Sequence, residues 1–249
     1  IVCFDDRQMD DMLGADPTPD TPAELAEVDR YAKEFAAACQ AKYPKLLPFL
    51  GTVDVAKDMD VARAALGQER MVYLGKSYGT LLGLKIAQAF PDRVGRFVLD
   101  GVMDPALTDQ QLSLGQAAGF EMATRAYMQD CVDKGACPLG DSLESGMQGL
   151  RDLLKQLDTT PLPVNGDPYV KKLTEGWGSF GVAVGMYDEG RWPAVTTALR
   201  SASANSCSRA KASARRGVAS SAAAVGVGAR RSAASSARAG AIWCIGLRT

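Results

Sequence analysis

Residues Met71 to Pro105, MVYLGKSYGTLLGLKIAQAFPDRVGRFVLDGVMDP, constrain the fold more than any other part of this chain. Met71-Val72-Tyr73-Leu74 is a short apolar run with the length and composition of a buried strand. Gly75-Lys76-Ser77-Tyr78-Gly79 follows and fits G-x-S-x-G. Leu81, Leu82, Leu84, Ile86, Ala87 and Phe90 then keep one apolar side at helical spacing, and Pro91 ends the run. Arg96 to Asp100 reads as a second buried strand, closed by Gly101. Strand, tight turn, helix and strand make one βαβ unit of a parallel sheet.

A serine on a sharp strand-to-helix turn has a strained backbone, so the residues two away on either side are expected to be small. The turn lifts the Ser77 hydroxyl above the sheet, where it is a candidate nucleophile. The helix starting at Tyr78 aims its free N–H groups outward, and the Tyr78 backbone N–H is a candidate oxyanion donor. The pentapeptide alone also arises by chance in glycine-rich loops, and Gly makes up 25 of the 249 residues. The strand before it and the helix after it separate the two cases.

The stretch LGKSYGTLLGLKIAQAFPDRVGRFVLDGVMDP resembles the nucleophile region of the secreted tripeptidyl-aminopeptidase-like α/β-hydrolases. The resemblance extends through TVDVAKDMDVARAALGQERMVYLGKSYGT before it, and through ACPLG and KLTEGWGSFGVAVGMYDEGRWPAVTTALR after it, covering about residues 1–200. It implies an α/β class: a partial α/β-hydrolase fold, a parallel sheet with a nucleophile elbow, carrying an inserted helical cap. It also implies a secreted or cell-envelope serine exopeptidase that takes peptides with a free N-terminus, needing no cofactor or metal. The implied domains are a partial core over 1–105, the cap over 106–200, and an irregular Ala/Ser/Arg tail over 201–249.

The family's triad runs Ser, Asp, His, with acid and base well after the cap. Histidine is absent from all 249 residues. An imidazole titrates near neutral pH, and no other side chain readily replaces it as general base. The acid and base of the triad are therefore not expected within this chain. The family's second oxyanion donor sits on a glycine-proline-glycine loop, which the resemblance places before Ile1; the chain is expected to be incomplete at both ends. Asp100 and Asp104 follow the strand after Ser77, where an acid can serve some hydrolases; without a base that role is idle, and they are expected to cap the turn there. Lys76 is adjacent to Ser77, and neighbours on a tight turn point apart.

Elsewhere the chain reads in segments. Asp16 to Pro22 is a turn-rich linker, and Thr21-x-x-Glu24 with Pro22 is a capping box opening a helix. Thr52 to Leu66 is an amphipathic helix, capped by Thr52 and terminated by Gly67. Asp54, Asp58 and Asp60 read either as metal ligands or as the acidic start of a solvated helix. Helices are expected over Leu112–Met128 and Ser142–Leu157, with two more between Leu173 and Leu199. Cys3 and Cys39 are either a disulfide, if the protein is secreted, or small buried apolar residues; the family resemblance favours the disulfide. Cys131 and Cys137 lie close enough for a local disulfide, and a zinc site lacks its other ligands. Glu175, Asp188 and Glu189 are candidates for a substrate amine, or are simply solvated.

From Ser201 the style changes. These 49 residues hold 15 Ala, 10 Ser, seven Arg, one Lys and no acid, a formal +8 against −9 for the rest. A basic disordered arm and a frameshifted reading of a GC-rich gene both fit this composition. Reading the DNA after the Ser201 codon in three frames separates them. No apolar run is long enough to span a membrane. No nucleic-acid partner is expected of the hydrolase, whereas a non-catalytic protein binding an acidic partner through cap and tail is the alternative.

Overall fold

The structure, a computed structural model, describes residues 1–135 and 137–205. The expected tail lies outside the described residues except for 201–205, which are helical. The chain forms two compact units. One holds Ile1–Cys3 and Glu34–Ala118, the other Phe4–Lys33 and the chain from Gly119. Two long helices, α2 (Pro22–Lys42) and α5 (Asp109–Asp133), each contribute to both units.

The first unit contains the βαβ element. Strand β1 (Met71–Lys76) pairs in parallel with β2 (Val94–Asp100), in register from Val72↔Arg96 to Lys76↔Asp100. Helix α4 (Tyr78–Ala89) connects them, and α3 (Thr52–Ala65) packs beside α4. Ala56, Met71 and fully buried Ile86 form the core, with Tyr73, Leu82, Phe90 and Phe97 around it. Gly83 lets α4 lie close to the strands, since a Cβ there would meet the Tyr73 ring at 2.7 Å and Leu99 at 2.8 Å. The buried Arg63 guanidinium, paired with Asp60 at 2.6 Å, also donates to the Gln68 and Glu69 carbonyls, fixing the loop into β1. Asp54 pairs with Lys57 at 3.0 Å, so two of the three acids of α3 neutralise bases one turn on. The opposite sheet face stays open: Val72, Leu74 and Val98 are 60–64% exposed.

Cys3 and Cys39 are disulfide-bonded, with Cα atoms 4.7 Å apart, and Cys131–Cys137 likewise at 4.9 Å. Lys42 Nζ donates to the Cys3 carbonyl at 2.8 Å beside the first bridge. The first bridge spans 36 residues, so Cys39→Ser is expected to cost about 2–4 kcal/mol by freeing the unfolded chain. Denaturant midpoints of the oxidised protein and the variant check this. Unreduced peptide mapping after expression in an oxidising compartment should recover both pairs.

The second unit is helical. Helix α1 (Asp6–Leu13) precedes the linker; α6 (Leu143–Thr159), α7 (Glu175–Gly185) and α8 (192–205) pack on the end of α5. A two-residue hairpin, β3 (Leu162–Pro163) with β4 (Lys172–Leu173), joins α6 to α7. The core gathers Tyr127, Met128, Met147, Leu150, Leu153, Leu157, Val182, Val195 and Leu199. Tyr127 stacks edge-on against Trp192 and shares a hydrogen bond with Thr196 at 3.0 Å. No helix among the described residues is long and apolar enough to cross a membrane.

Candidate active site

Ser77 is the only described non-glycine residue with positive φ, at 51° with ψ −121°. Such a conformation costs of order 1–3 kcal/mol and persists only where its surroundings hold it. Here they do. The Ser77 N–H donates to the Asp100 carbonyl at the end of β2, 3.0 Å away. The Ser77 carbonyl accepts from the Thr80 N–H at 2.9 Å and the Thr80 hydroxyl at 2.6 Å. Thr80 Oγ1, fully buried, also accepts from Met103 N–H at 3.0 Å, tying the elbow to the loop after β2. The Ser77 side chain is exposed.

The two motif glycines are not equivalent. A Cβ on Gly75 would sit 2.5 Å from the Gly79 carbonyl oxygen, with backbone on both sides of the clash. A Cβ on Gly79 would meet only the Tyr73 hydroxyl, at an ordinary 3.5 Å. The expectation that both must be small is thus met in full only at Gly75. Gly75→Ala should destabilise the first unit by about 1–3 kcal/mol and Gly79→Ala by less than about 1 kcal/mol. Thermal melts of the two variants side by side check the order. The Tyr73 hydroxyl donates to the Gly79 carbonyl at 2.7 Å, and burial pushes its pKa up, keeping it a donor.

Tyr78 is the first helical residue, where an N–H has no intrahelical acceptor. Its N–H is therefore placed at the positive end of α4, next to the Ser77 hydroxyl. Its phenol pairs with the Thr52 hydroxyl. This corrects the expected cap of α3: Gly51 occupies the cap position, and Thr52 is drawn to Tyr78 instead. Asp104 caps a turn, accepting from Ala106 N–H at 2.9 Å, while Asp100 contributes its backbone carbonyl to the elbow. Lys76 is the exposed last residue of β1.

In the second unit Asp188 accepts from Gly190 N–H at 2.9 Å, a local cap, and Glu189 is exposed. Glu175 is different: it stands at the start of α7 among other carboxylates, and burial together with the neighbouring Asp16 carboxyl raises its pKa to about 7. That cluster, Asp16, Glu24, Asp158 and Glu175, comes from four separate segments and left no local signal in the sequence.

A strained serine between a parallel strand and a helix N-terminus, with a free N–H beside it, is the elbow of an α/β-hydrolase. Residues 10–184 match the alpha/beta hydrolase fold family, and the chain belongs to that family. Similar proteins include serine protease Hip1 of Mycobacterium tuberculosis, 35% identical over 80% of this chain and 39% of its own length. The tripeptidyl aminopeptidase of Streptomyces lividans is 37% identical over 57% of this chain and 27% of its own length. Carboxylesterase B of Mycobacterium tuberculosis is 34% identical over 80% and 38%. The chain thus spans about two-fifths or less of each of these relatives.

Proposed function

We propose that this chain carries the nucleophile segment of a serine peptidase that removes short peptides from free N-termini, outside the cytoplasm. The observation that carries the reading is Ser77 at φ 51° between β1 and α4. Ser77 is the attacking hydroxyl and the Tyr78 N–H one of the donors to the tetrahedral oxyanion. The disulfides agree with an oxidising compartment. Peptidases and an esterase both stand among the relatives, and the cysteine bridges and N-terminal linker do not choose between them. The preference for peptides rests on the quoted resemblance through the helical unit.

With no histidine in 249 residues, the chain by itself lacks the base that activates Ser77. The test is therefore a chimera in which residues 1–205 replace the matching segment of Hip1. It should cleave a tripeptidyl anilide with a free amine about tenfold or more faster than its N-acetylated form. Turnover of short-chain esters alone would overturn the peptidase reading. Retained helicity with no turnover of either substrate would favour the alternative, a non-catalytic binding protein, which the missing histidine fits equally.

A further inference from the structure

In the second unit, the linker between α1 and α2 is clasped to the start of α7, far away in sequence. Thr174 Oγ1 donates to the Gly14 carbonyl at 2.7 Å. The Thr18 hydroxyl lies 3.3 and 3.4 Å from the two Glu175 carboxyl oxygens and 3.3 Å from Asp16 Oδ1. Gly14 packs so closely on the Trp177 indole that a Cβ would come within 2.8 Å of its nitrogen. The linker and α7 together line an open cleft of about 300 Å³, with Asp11 of α1, Glu24 and Glu27 of α2, and Asp158 of α6 around it.

Proton counting exposes the weakness of this clasp. Thr18 has one hydroxyl hydrogen for carboxyl oxygens on two residues. Ionised together, Asp16 would keep the Thr18 N–H, 2.8 Å from its Oδ1, while Glu175 would have only a share of that one hydroxyl hydrogen. More negative charge stands behind them, since Asp16, Glu24 and Asp158 hold oxygens within 4.8 Å of one another. Glu24 accepts from the Thr21 and Asp20 N–H groups at 2.8 and 3.0 Å, which lowers its pKa and keeps it ionised. Lys155 on α6 is the cation that acts on Asp158.

We propose that the Asp16–Glu175 carboxyl pair is a proton-operated latch: with a proton shared between them it holds the linker on α7, and with both ionised it releases the linker and widens the cleft. The electrostatics agree in direction. Burial and the Asp16 carboxyl raise Glu175 from 4.5 to about 7, and burial followed by the Glu24 charge raises Asp158. A raised acid binds its proton more tightly in the latched state than in the released one. The latch is therefore fully stabilised below the ordinary glutamate range, weakens as pH climbs through about 7, and changes no further above it. Glu175 is only partly buried, so solvent screening reduces the size of the effect without changing its sign.

Hydrogen exchange on the 249-residue chain tests this, with EDTA present and rates corrected for intrinsic exchange. Peptides covering residues 14–21 and the first turn of α7 should exchange about fivefold faster at pH 8.5 than at pH 5.5, while α6 core peptides stay constant. Glu175→Gln should remove the rise, because its amide donates to Asp16 at every pH. Asp16→Asn should do the same from the other side, and decides the matter if Glu175→Gln fails to protect α6. A linker that exchanges equally at both pH values in the parent, or an undiminished rise in a folded amide variant, overturns the latch.

Discussion

The 249-residue chain should react with a fluorophosphonate no faster than its Ser77→Ala variant and should release no anilide from tripeptidyl substrates. A serine hydroxyl holds its proton at neutral pH and attacks only when a base removes that proton in the transition state. Loss of the base from a serine triad lowers kcat by about 10⁶-fold. Nothing in the described elbow offsets that. Among the described hydrogen bonds none joins the Lys76 amine or the Asp100 carboxylate to the Ser77 hydroxyl, and Asp100 meets the elbow only through its backbone carbonyl. What the described elbow offers is a positioned hydroxyl and the Tyr78 N–H. Intact-mass measurement after hours of incubation, parent beside Ser77→Ala, checks the expectation. An adduct at Ser77 well above the variant's background would mean that some other group in the chain serves as base.

The second large effect concerns the helical unit. Leu157 is 1% exposed at the inner face of α6, packed among Leu150, Leu153, Val182 and Val195. Its branch also lies against α7, where a Cβ on Gly178 would meet Leu157 Cδ1 at 2.8 Å. Leu157→Ala removes three buried carbons and leaves a cavity that this close helix contact cannot collapse to fill, at a cost of about 3–5 kcal/mol. That is a large share of the roughly 5–15 kcal/mol that holds a domain together. Met122→Ala is the matched control, since Met122 is 70% exposed on α5 and should change stability by less than about 0.5 kcal/mol. Urea midpoints read by tryptophan fluorescence separate the two. Equal midpoints would mean that α6 does not hold the unit together.

The elbow was legible in the sequence because every signal for it is local: a short apolar run, glycines at fixed offsets, then helical spacing. The capping box at Thr21 and Glu24 was legible for the same reason, and its bonds form at 2.8 and 3.3 Å. Helix α1 was missed although it carries a comparable signal, Asp5 and Gln8 bonding each other's backbone. Its apolar face is only Met9, Met12 and Leu13 on an eight-residue helix, too short a run to stand out among the acids around it. Helix α5 starts three residues earlier than its apolar spacing suggests, because Thr108 and Gln111 cap it reciprocally. Thr52 misled because a hydroxyl before a helix has two possible partners, and the tertiary one, Tyr78, lies 26 residues away. The carboxylates around Glu175 had no local signal at all. Only packing of the linker, α2, α6 and α7 brings them together.

We infer that Ser77 is a competent nucleophile in a chain that lacks its base. The most direct measurement is fluorophosphonate labelling of the Hip1 chimera, mapped to a single residue by peptide mass spectrometry. One adduct per chain at Ser77, abolished by Ser77→Ala and absent from the 249-residue chain, is the expected result. A folded chimera that labels elsewhere, or carries no adduct at Ser77, would contradict it.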